Sequence, residues 1–233
     1  MTNFIKGLKD GLPIALGYVS VSFTFGLQAV SLGLSWWEAA LISLTNLTSA
    51  GQFAGLDILT GGGGFWIEML CTQFIINLRY SLMSLSLSQK ADSSLKGIHR
   101  WITGFGITDE IFAVSMRNKD GISNKYLYGI ILLPVLGWTG GTLLGTVAGQ
   151  VLPSVVIASL GIAIYSMFLA IIIPPAKKDS AVLKVIIIAV VLSCILKYTP
   201  ILSNISSGFS IIICTVIAAF AGAIFFPVKE ENE

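Results

Sequence analysis

Residues Tyr126–Ala176 read YLYGIILLPVLGWTGGTLLGTVAGQVLPSVVIASLGIAIYSMFLAIIIPPA and carry no charged side chain over 51 residues. A transmembrane helix needs about 20 consecutive apolar residues, so this stretch predicts two membrane-crossing helices. Pro153 lies near its middle and marks the predicted turn between them. A stretch of this kind excludes an ordinary soluble domain and indicates a helical membrane protein.

The composition of the whole chain agrees with this assignment. Of the 233 residues, 55% are hydrophobic and 11% are charged, whereas soluble domains carry about 25% charged residues. The apolar runs are continuous and lack the period-2 alternation of barrel strands, so they are predicted to be helices. The net charge of +2 is too small to indicate a nucleic-acid partner.

Eight apolar segments are predicted, all helical and all within one integral membrane transporter domain over residues 1–233. They cover residues 11–34, 37–59, 65–88, 101–116, 126–149, 155–174, 182–199 and 209–227. The fold class is therefore an all-α polytopic membrane protein.

Basic residues predict the topology. They cluster in the connections 1–10, 89–100, 117–125 and 175–184, and the positive-inside rule places these four connections, with the N-terminus, in the cytoplasm. Eight full crossings would put some of them on opposite faces. We therefore predict interrupted or re-entrant segments near 37–59, which is rich in polar and small residues, and near 101–116, which is too short to cross.

Three ionisable residues, Arg79, Asp109 and Glu110, lie within apolar segments. An ionisable group at membrane depth is expensive and is usually retained for a substrate path, an ion site or a required ion pair. An arginine fork can hold a carboxylate with two hydrogen bonds, and Asp109 or Glu110 would take an ammonium group or a proton. Two alternatives stay open: Arg79 reaches the headgroups, and the two acids follow Thr108 in a capped interfacial helix.

Other candidate groups follow from their chemistry. Gln52 and Asn77 would add hydrogen bonds to a substrate, and an aliphatic side chain would lie against Phe53, Phe74 or Phe112. Glu68 lies near the start of its segment, where an acidic residue favours the helix N-terminus, and is a minor candidate.

Four glycines, Gly137, Gly141, Gly145 and Gly149, recur every four residues. On a helix they form one smooth face, which predicts close packing against another helix of this chain or against a partner subunit.

Enzymatic motifs are missing from the sequence. It has no HExxH or GxSxG pattern, and the Gly61–Gly64 run is not followed by the Lys-Ser/Thr of a P-loop. Cys71, Cys194 and Cys214 form no CxxC pair and are interpreted as buried apolar residues. We therefore expect a secondary transporter without cofactor or metal, driven by an ion or substrate gradient, and no enzyme. The alternative is a structural or assembly subunit whose intramembrane charges form a folding ion pair.

Four motifs carry a resemblance to a known family. They are Gly11-Leu-Pro13, Ala50-Gly51-Gln52-Phe53, Asn77-Leu-Arg79 before the Ser-rich Ser81–Ser88, and Thr108-Asp109-Glu110 before Phe112-Ala113. Over nearly its whole length the chain resembles the AzlC-type large subunit of branched-chain amino-acid exporters.

The resemblance implies export of Leu, Ile, Val or related amino acids across the bacterial inner membrane. It also implies a short hydrophobic partner of the AzlD type, for which the glycine face is a candidate docking surface. Members of the family often carry histidine after the Asn-Leu-Arg triplet, where this chain has Tyr80. A proton-coupling role of that histidine would therefore pass to another group here.

Overall fold

The computed structural model describes residues 3–61, 65–118, 121–153, 155–156, 159, 163–200, 202 and 204–227. Within these ranges the chain forms ten α-helices and no strand beyond one parallel bridge between Ala91 and Ile122. The predicted all-helical class is confirmed. The helices are α1 (Asn3–Ser31), α2 (Trp36–Thr45), α3 (Ser49–Thr60), α4 (Phe65–Lys90), α5 (Ile98–Phe105), α6 (Asp109–Arg117), α7 (Asn124–Val151), α8 (Ala163–Lys178), α9 (Ser180–Tyr198) and α10 (Ser207–Phe225).

The chain divides into two compact units. The first unit comprises Met1–Phe53 and Asn77–Ile164, and the second comprises Ala54–Ile76 and Tyr165–Glu233. Four helices in the described part are long and apolar enough to cross a membrane, α1 and α7 in the first unit and α9 and α10 in the second. That both units serve one transport domain over residues 1–233 stays a prediction.

Both segments that were predicted to be interrupted contain a break. The segment 37–59 is divided into α2 and α3, and the segment 101–116 is divided into α5 and α6. The predicted turn at Pro153 is also present, because α7 ends at Val151 and the Val156 amide donates to the Pro153 carbonyl at 2.9 Å. Part of the predicted segment 155–174 lies outside the described residues.

Polar side chains at the breaks replace the lost helical hydrogen bonds. In the first break, the Asn46 Oδ1 atom accepts from the Thr48 amide at 3.0 Å, and Thr48 Oγ1 accepts from the Gly51 amide at 3.4 Å. In the second break, Thr108 Oγ1 accepts from the Ile111 amide at 3.4 Å. A helix end away from water needs such caps, so these residues allow each segment to stop and restart.

Helices α1 and α7 pack together closely and form the core of the first unit. A Cβ atom added to Gly11 would lie 2.6 Å from the Ile130 carbonyl oxygen, and one added to Gly137 would lie 2.6 Å from the Ala15 carbonyl oxygen. The two backbones therefore touch, which is the packing that small residues spaced by four allow in membranes.

The predicted glycine face is occupied within the chain. A Cβ atom on Gly141 would lie 2.8 Å from the Cα atom of Val19, and one on Gly145 would lie 3.1 Å from the Cα atom of Gly26. The predicted contact with another helix of this chain is confirmed, and the expectation that this face docks a partner subunit is wrong. The reason is that α1 carries small residues of its own at matching positions, namely Gly7, Gly11, Ala15, Ser22 and Gly26.

Three of the four basic connections meet at one end of the first unit. The Asp92 amide donates to the Ile122 carbonyl at 3.0 Å beside the β-bridge, which joins the connections 89–100 and 117–125. Lys6 Nζ donates to Asn118 Oδ1 at 2.6 Å, which brings the N-terminal connection to the same place. A common side for these three connections is what the positive-inside prediction requires.

Candidate functional site

A cavity of about 140 Å³ lies in the first unit, where both helix breaks meet the middle of α4. Its wall combines hydroxyl and amide groups with three apolar side chains from the breaks. The lining residues are Thr45, Asn46, Leu47, Thr48, Asn77, Tyr80, Gly104, Phe105, Ile107 and Thr108. A cavity of about 150 Å³ accepts a molecule of the size of benzene, so this one suits a small metabolite.

An ion pair lies at the edge of this cavity. Arg79 Nη1 lies 3.0 Å from Asp109 Oδ2, and the two side chains are 48% and 43% exposed. The Arg79 Cζ atom lies 5.0 Å from the ring centroid of Tyr80, and its Nη2 atom donates to the Tyr80 hydroxyl at 3.3 Å. Tyr80 lines the cavity and contacts the guanidinium group, so it links the ion pair to the cavity.

The second acid, Glu110, has a different partner. The Tyr18 hydroxyl of α1 donates to Glu110 Oε2 at 2.6 Å and also lies 2.6 Å from Thr108 Oγ1. Tyr18 is buried, so it holds the start of α6 against the core. The two adjacent acids therefore contact different helices: Asp109 contacts α4 through Arg79, and Glu110 contacts α1 through Tyr18.

The acid of the ion pair is electrostatically perturbed. Asp109 lies at the start of α6, outside the four long apolar helices. Burial raises the pKa of Asp109 above its ordinary value, the Arg79 guanidinium acts in the opposite direction, and the Glu110 carboxylate adds a smaller upward contribution. A second cationic group close to Asp109, such as a ligand ammonium, would further favour its charged form.

Gln52 lies in a separate, buried ring of hydrogen bonds. Trp138 Nε1 donates to Gln52 Oε1 at 3.0 Å, and Gln52 Nε2 donates to Ser43 Oγ at 3.2 Å. The ring closes through Thr142, whose Oγ1 atom lies 2.7 Å from Ser43 Oγ and donates to the Trp138 carbonyl at 3.1 Å. Gln52 thereby joins α2 and α3 to α7 behind the first break.

Of the six residues predicted for the site, Asn77 lines the cavity and Arg79, Asp109 and Glu110 lie beside it. Gln52 and Phe53 do not line it. The ring of Phe53 packs edge-on against Phe25 of α1 with centroids 5.5 Å apart. Their predicted contact with a substrate stays a prediction.

Sequence reasoning missed several side chains. Tyr18 and Trp138 are aromatic residues within long apolar helices and carry no local motif that marks them as partners of Glu110 and Gln52. The cavity wall residues Leu47, Phe105 and Ile107 were also missed. The available signal was their position inside or directly beside the breaks.

Removing one member of the buried ring should destabilise the fold. Gln52→Leu leaves the Trp138 indole N–H without its acceptor and removes one of the two partners of the Ser43 hydroxyl, so we expect a loss of about 1–3 kcal/mol of stability. Thermal unfolding of the purified protein measures this. Gln28→Leu, a glutamine of α1 outside the ring, is the matched control, and an equal loss there would contradict the ring. Adding Trp138→Phe to Gln52→Leu should destabilise by less than the sum of the two single changes.

The fold and the site define a polytopic helical membrane protein with a small cavity between two interrupted helices and an ion pair at its edge. The chain belongs to the AzlC family, since the family described as AzlC protein matches residues 13–152. The matched range includes every cavity residue, the ion pair and Tyr18. The family membership that the motifs indicated is confirmed.

Similar proteins come from an archaeon and from bacteria. A protein of Archaeoglobus fulgidus named Uncharacterized membrane protein is 36% identical over 176 residues, which are 75% of this chain and 76% of the relative. Inner membrane protein YgaZ of Escherichia coli is 32% identical over 176 residues, 72% of this chain and 71% of the relative. A membrane protein of Helicobacter pylori is 28% identical over 160 residues, 64% of this chain and 68% of the relative. No solved structure matches the chain.

Proposed function

We propose that this protein is a secondary transporter that exports small apolar amino acids, above all branched-chain ones, across the bacterial inner membrane. The observation that carries the proposal is the Arg79–Asp109 ion pair at the edge of a cavity between two helix breaks. Interrupted helices at the substrate site recur in secondary transporters. The protein moves its substrate unchanged, so no catalytic residue is proposed.

A zwitterionic substrate suits this site because it carries the same two charges as the ion pair. The Arg79 fork binds the substrate carboxylate, and Asp109 with the adjacent Glu110 binds the ammonium group. The substrate thus replaces the internal ion pair, and both side chains stay neutralised in the empty and in the loaded state. This matters because a charge that the bound substrate shields from water is costly unless it is paired.

The apolar part of the cavity selects the substrate side chain. Leu47 and Ile107 are 6% and 7% exposed, and Phe105 completes the apolar wall. The polar lining groups include Asn77, Tyr80 and Thr48, and they would form hydrogen bonds to the substrate head. A small aliphatic side chain fits this division between polar and apolar walls, and a charged side chain does not.

The substrate selectivity should change when an apolar side chain of the cavity wall is shortened. Ile107→Ala removes contacts with a leucine side chain, so the preference for leucine over alanine should fall at least about 10-fold, the lower end of the effect of one methylene group in an apolar pocket. Competition of unlabelled amino acids against labelled leucine measures the preference. Ile111→Ala, a buried isoleucine that does not line the cavity, should affect stability and leave the preference unchanged.

The structural alternative is less well supported by the geometry. A folding ion pair should be buried, because exposed pairs contribute only about 0–1 kcal/mol. Arg79 and Asp109 are about half exposed, which leaves the pair accessible to a ligand and gives it little to contribute to folding. A binding role therefore explains its position better than an assembly role.

Topology and partner belong to the same proposal. The meeting of three basic connections at one end of the first unit supports a cytoplasmic N-terminus, and the name of YgaZ supports the inner membrane. The sequence contains no nucleotide-binding motif, so an ion or substrate gradient would supply the energy. A short AzlD-type subunit remains the proposed partner, docked elsewhere than on the glycine face of α7.

The proposal is tested with purified protein in proteoliposomes loaded with labelled leucine. We expect saturable efflux, either from this chain alone or after a short AzlD-type subunit is reconstituted with it. Efflux that rises linearly with leucine concentration without saturation would indicate a channel and contradict the carrier. Absence of efflux for leucine, isoleucine and valine under both conditions would contradict the substrate class.

A further inference from the structure

We infer that the second unit binds a monovalent metal cation between Glu68, Thr72 and Ser206, at the start of α10. Glu68 comes from the first turn of α4, and Ser206 is the residue before α10. The side chain of Glu68 is 1% exposed, and its Oε1 atom accepts a hydrogen bond from the Gly208 amide at 2.8 Å.

The Glu68 carboxylate is buried without a compensating charge. Among the described residues, no lysine or arginine forms an ion pair with Glu68, and its one hydrogen bond comes from an uncharged backbone amide. Burying a charge is strongly unfavourable unless it is paired or coordinates a metal. The Gly208 amide and the N-terminus of α10 stabilise an anion, but they leave most of the carboxylate lone pairs without a hydrogen-bond donor.

Two hydroxyl groups also lack a partner, one of them close to this carboxylate and the other two residues before Gly208. Thr72 Oγ1 and Ser206 Oγ are buried, and neither has a hydrogen bond. Thr72 is fully buried, at 0% exposure. Ser206 occupies the N-cap position of α10 without capping the helix through its side chain. Buried polar atoms without partners point to a bound water or ion that completes the site.

The Glu68 carboxylate and the Thr72 hydroxyl converge on one place, next to Gly208. A Cβ atom added to Gly208 would lie 2.5 Å from Glu68 Oε1 and 2.7 Å from Thr72 Oγ1. Any side chain at this position would therefore occupy the space between the carboxylate and the hydroxyl. Glycine leaves this space open, and Ser206 is two residues away along the chain.

The donor set selects the kind of ion. One carboxylate balances one positive charge, and carboxylate and hydroxyl oxygens are hard ligands that suit alkali cations. Divalent cations usually bind a larger number of acidic side chains. The described residues contain no group of three or more His, Cys, Asp or Glu side chains. A water molecule would satisfy the two hydroxyl groups but would leave the charge of Glu68 uncompensated.

The residues of this site all belong to the second unit, whereas the cavity and the ion pair belong to the first. Binding of the cation stands on these contacts alone and does not depend on which substrate the first unit takes. A role of the bound cation in driving export rests on the proposed function. The experiment therefore measures binding without transport.

The test is thermal unfolding of the purified full chain in detergent, at constant ionic strength, with choline exchanged stepwise for sodium, potassium or lithium. A ligand that binds only the folded state raises the unfolding temperature in a saturable way. We expect one of the three cations to raise it by several degrees, with a half-effect at a defined concentration. Equal unfolding temperatures in all four salts would overturn the inference.

Variants test whether the cation-dependent rise in unfolding temperature comes from the site at Glu68. Thr72→Val removes one ligand and keeps the side-chain shape, so the cation response should fall at least 10-fold in apparent affinity, and Glu68→Gln should abolish it. Thr139→Val is the matched control, because Thr139 Oγ1 of α7 is also buried without a partner. An unchanged response in Thr72→Val, or an equal loss in Thr139→Val, would overturn the assignment.

Discussion

Arg79→Ala should reduce leucine efflux about 100-fold or more while the protein stays folded. Hydrogen bonds to charged groups contribute about 1.5–3 kcal/mol each, and a guanidinium fork can give two of them to a carboxylate. Loss of both hydrogen bonds therefore lowers the binding affinity at least about 100-fold. The Arg79–Asp109 pair is about half exposed, so its loss should have little effect on unfolding. Initial efflux rates at equal amounts of folded protein measure the effect.

Three further variants separate binding from charge and folding. Arg79→Lys keeps the charge and loses the fork, so it should retain only part of the activity. Arg117→Ala removes an arginine at the other end of α6 and should leave efflux unchanged. Arg79→Asp combined with Asp109→Arg restores an ion pair with the charges exchanged, and it should fold without transporting. Full transport by this double variant would support the folding ion pair instead.

Gly141→Ala should severely reduce the yield of folded protein. The new Cβ atom would lie 2.5 Å from the Val19 carbonyl oxygen and 2.8 Å from its Cα atom. Backbone atoms cannot turn away as a side chain can, so α1 and α7 would have to separate along the core of the first unit. Overpacking of this kind typically costs about 1–3 kcal/mol and can exceed that range. We expect a loss near 3 kcal/mol, which fluorescence-detected size exclusion after heating would measure.

The neighbouring glycine gives a matched control on the same helix. A Cβ atom on Gly140 would meet no atom within 4 Å, and alanine favours a helix over glycine by about 1 kcal/mol. Gly140→Ala should therefore leave stability unchanged or raise it slightly. If Gly140→Ala and Gly141→Ala were equally destabilising, the cause would be helix propensity or insertion, and the close α1–α7 contact would be refuted.

Features that depend on local chemistry were predictable from the sequence. The breaks fall where Asn46, Thr48 and Thr108 can cap helix ends, since these side chains satisfy backbone groups that lipid cannot. The charges of Arg79 and Asp109 were conspicuous because their surroundings are apolar. An ion pair between intramembrane charges was the structural alternative from the sequence, and the structure places Arg79 Nη1 3.0 Å from Asp109 Oδ2.

Features that depend on pairing between distant helices were not predictable. The glycine face of α7 was visible, but its partner could not be chosen until the matching small residues of α1 were placed beside it. The sequence did not reveal that the side-chain amide of Gln52 accepts a hydrogen bond from Trp138, which lies 86 positions away. A polar side chain in an apolar segment fits a binding site and a buried network equally well. Only the contacts distinguish the two roles.

The central claim is that the site binds both charges of an amino acid, and counterflow in proteoliposomes tests it most directly. Vesicles with wild-type protein are loaded with leucine, with isocaproate, which lacks the ammonium group, or with isoamylamine, which lacks the carboxylate. Entry of external labelled leucine is then followed. We expect fast entry with internal leucine and background entry with either analogue, because each analogue leaves Arg79 or Asp109 without its partner. Equal stimulation by all three compounds would contradict a zwitterion site at this ion pair.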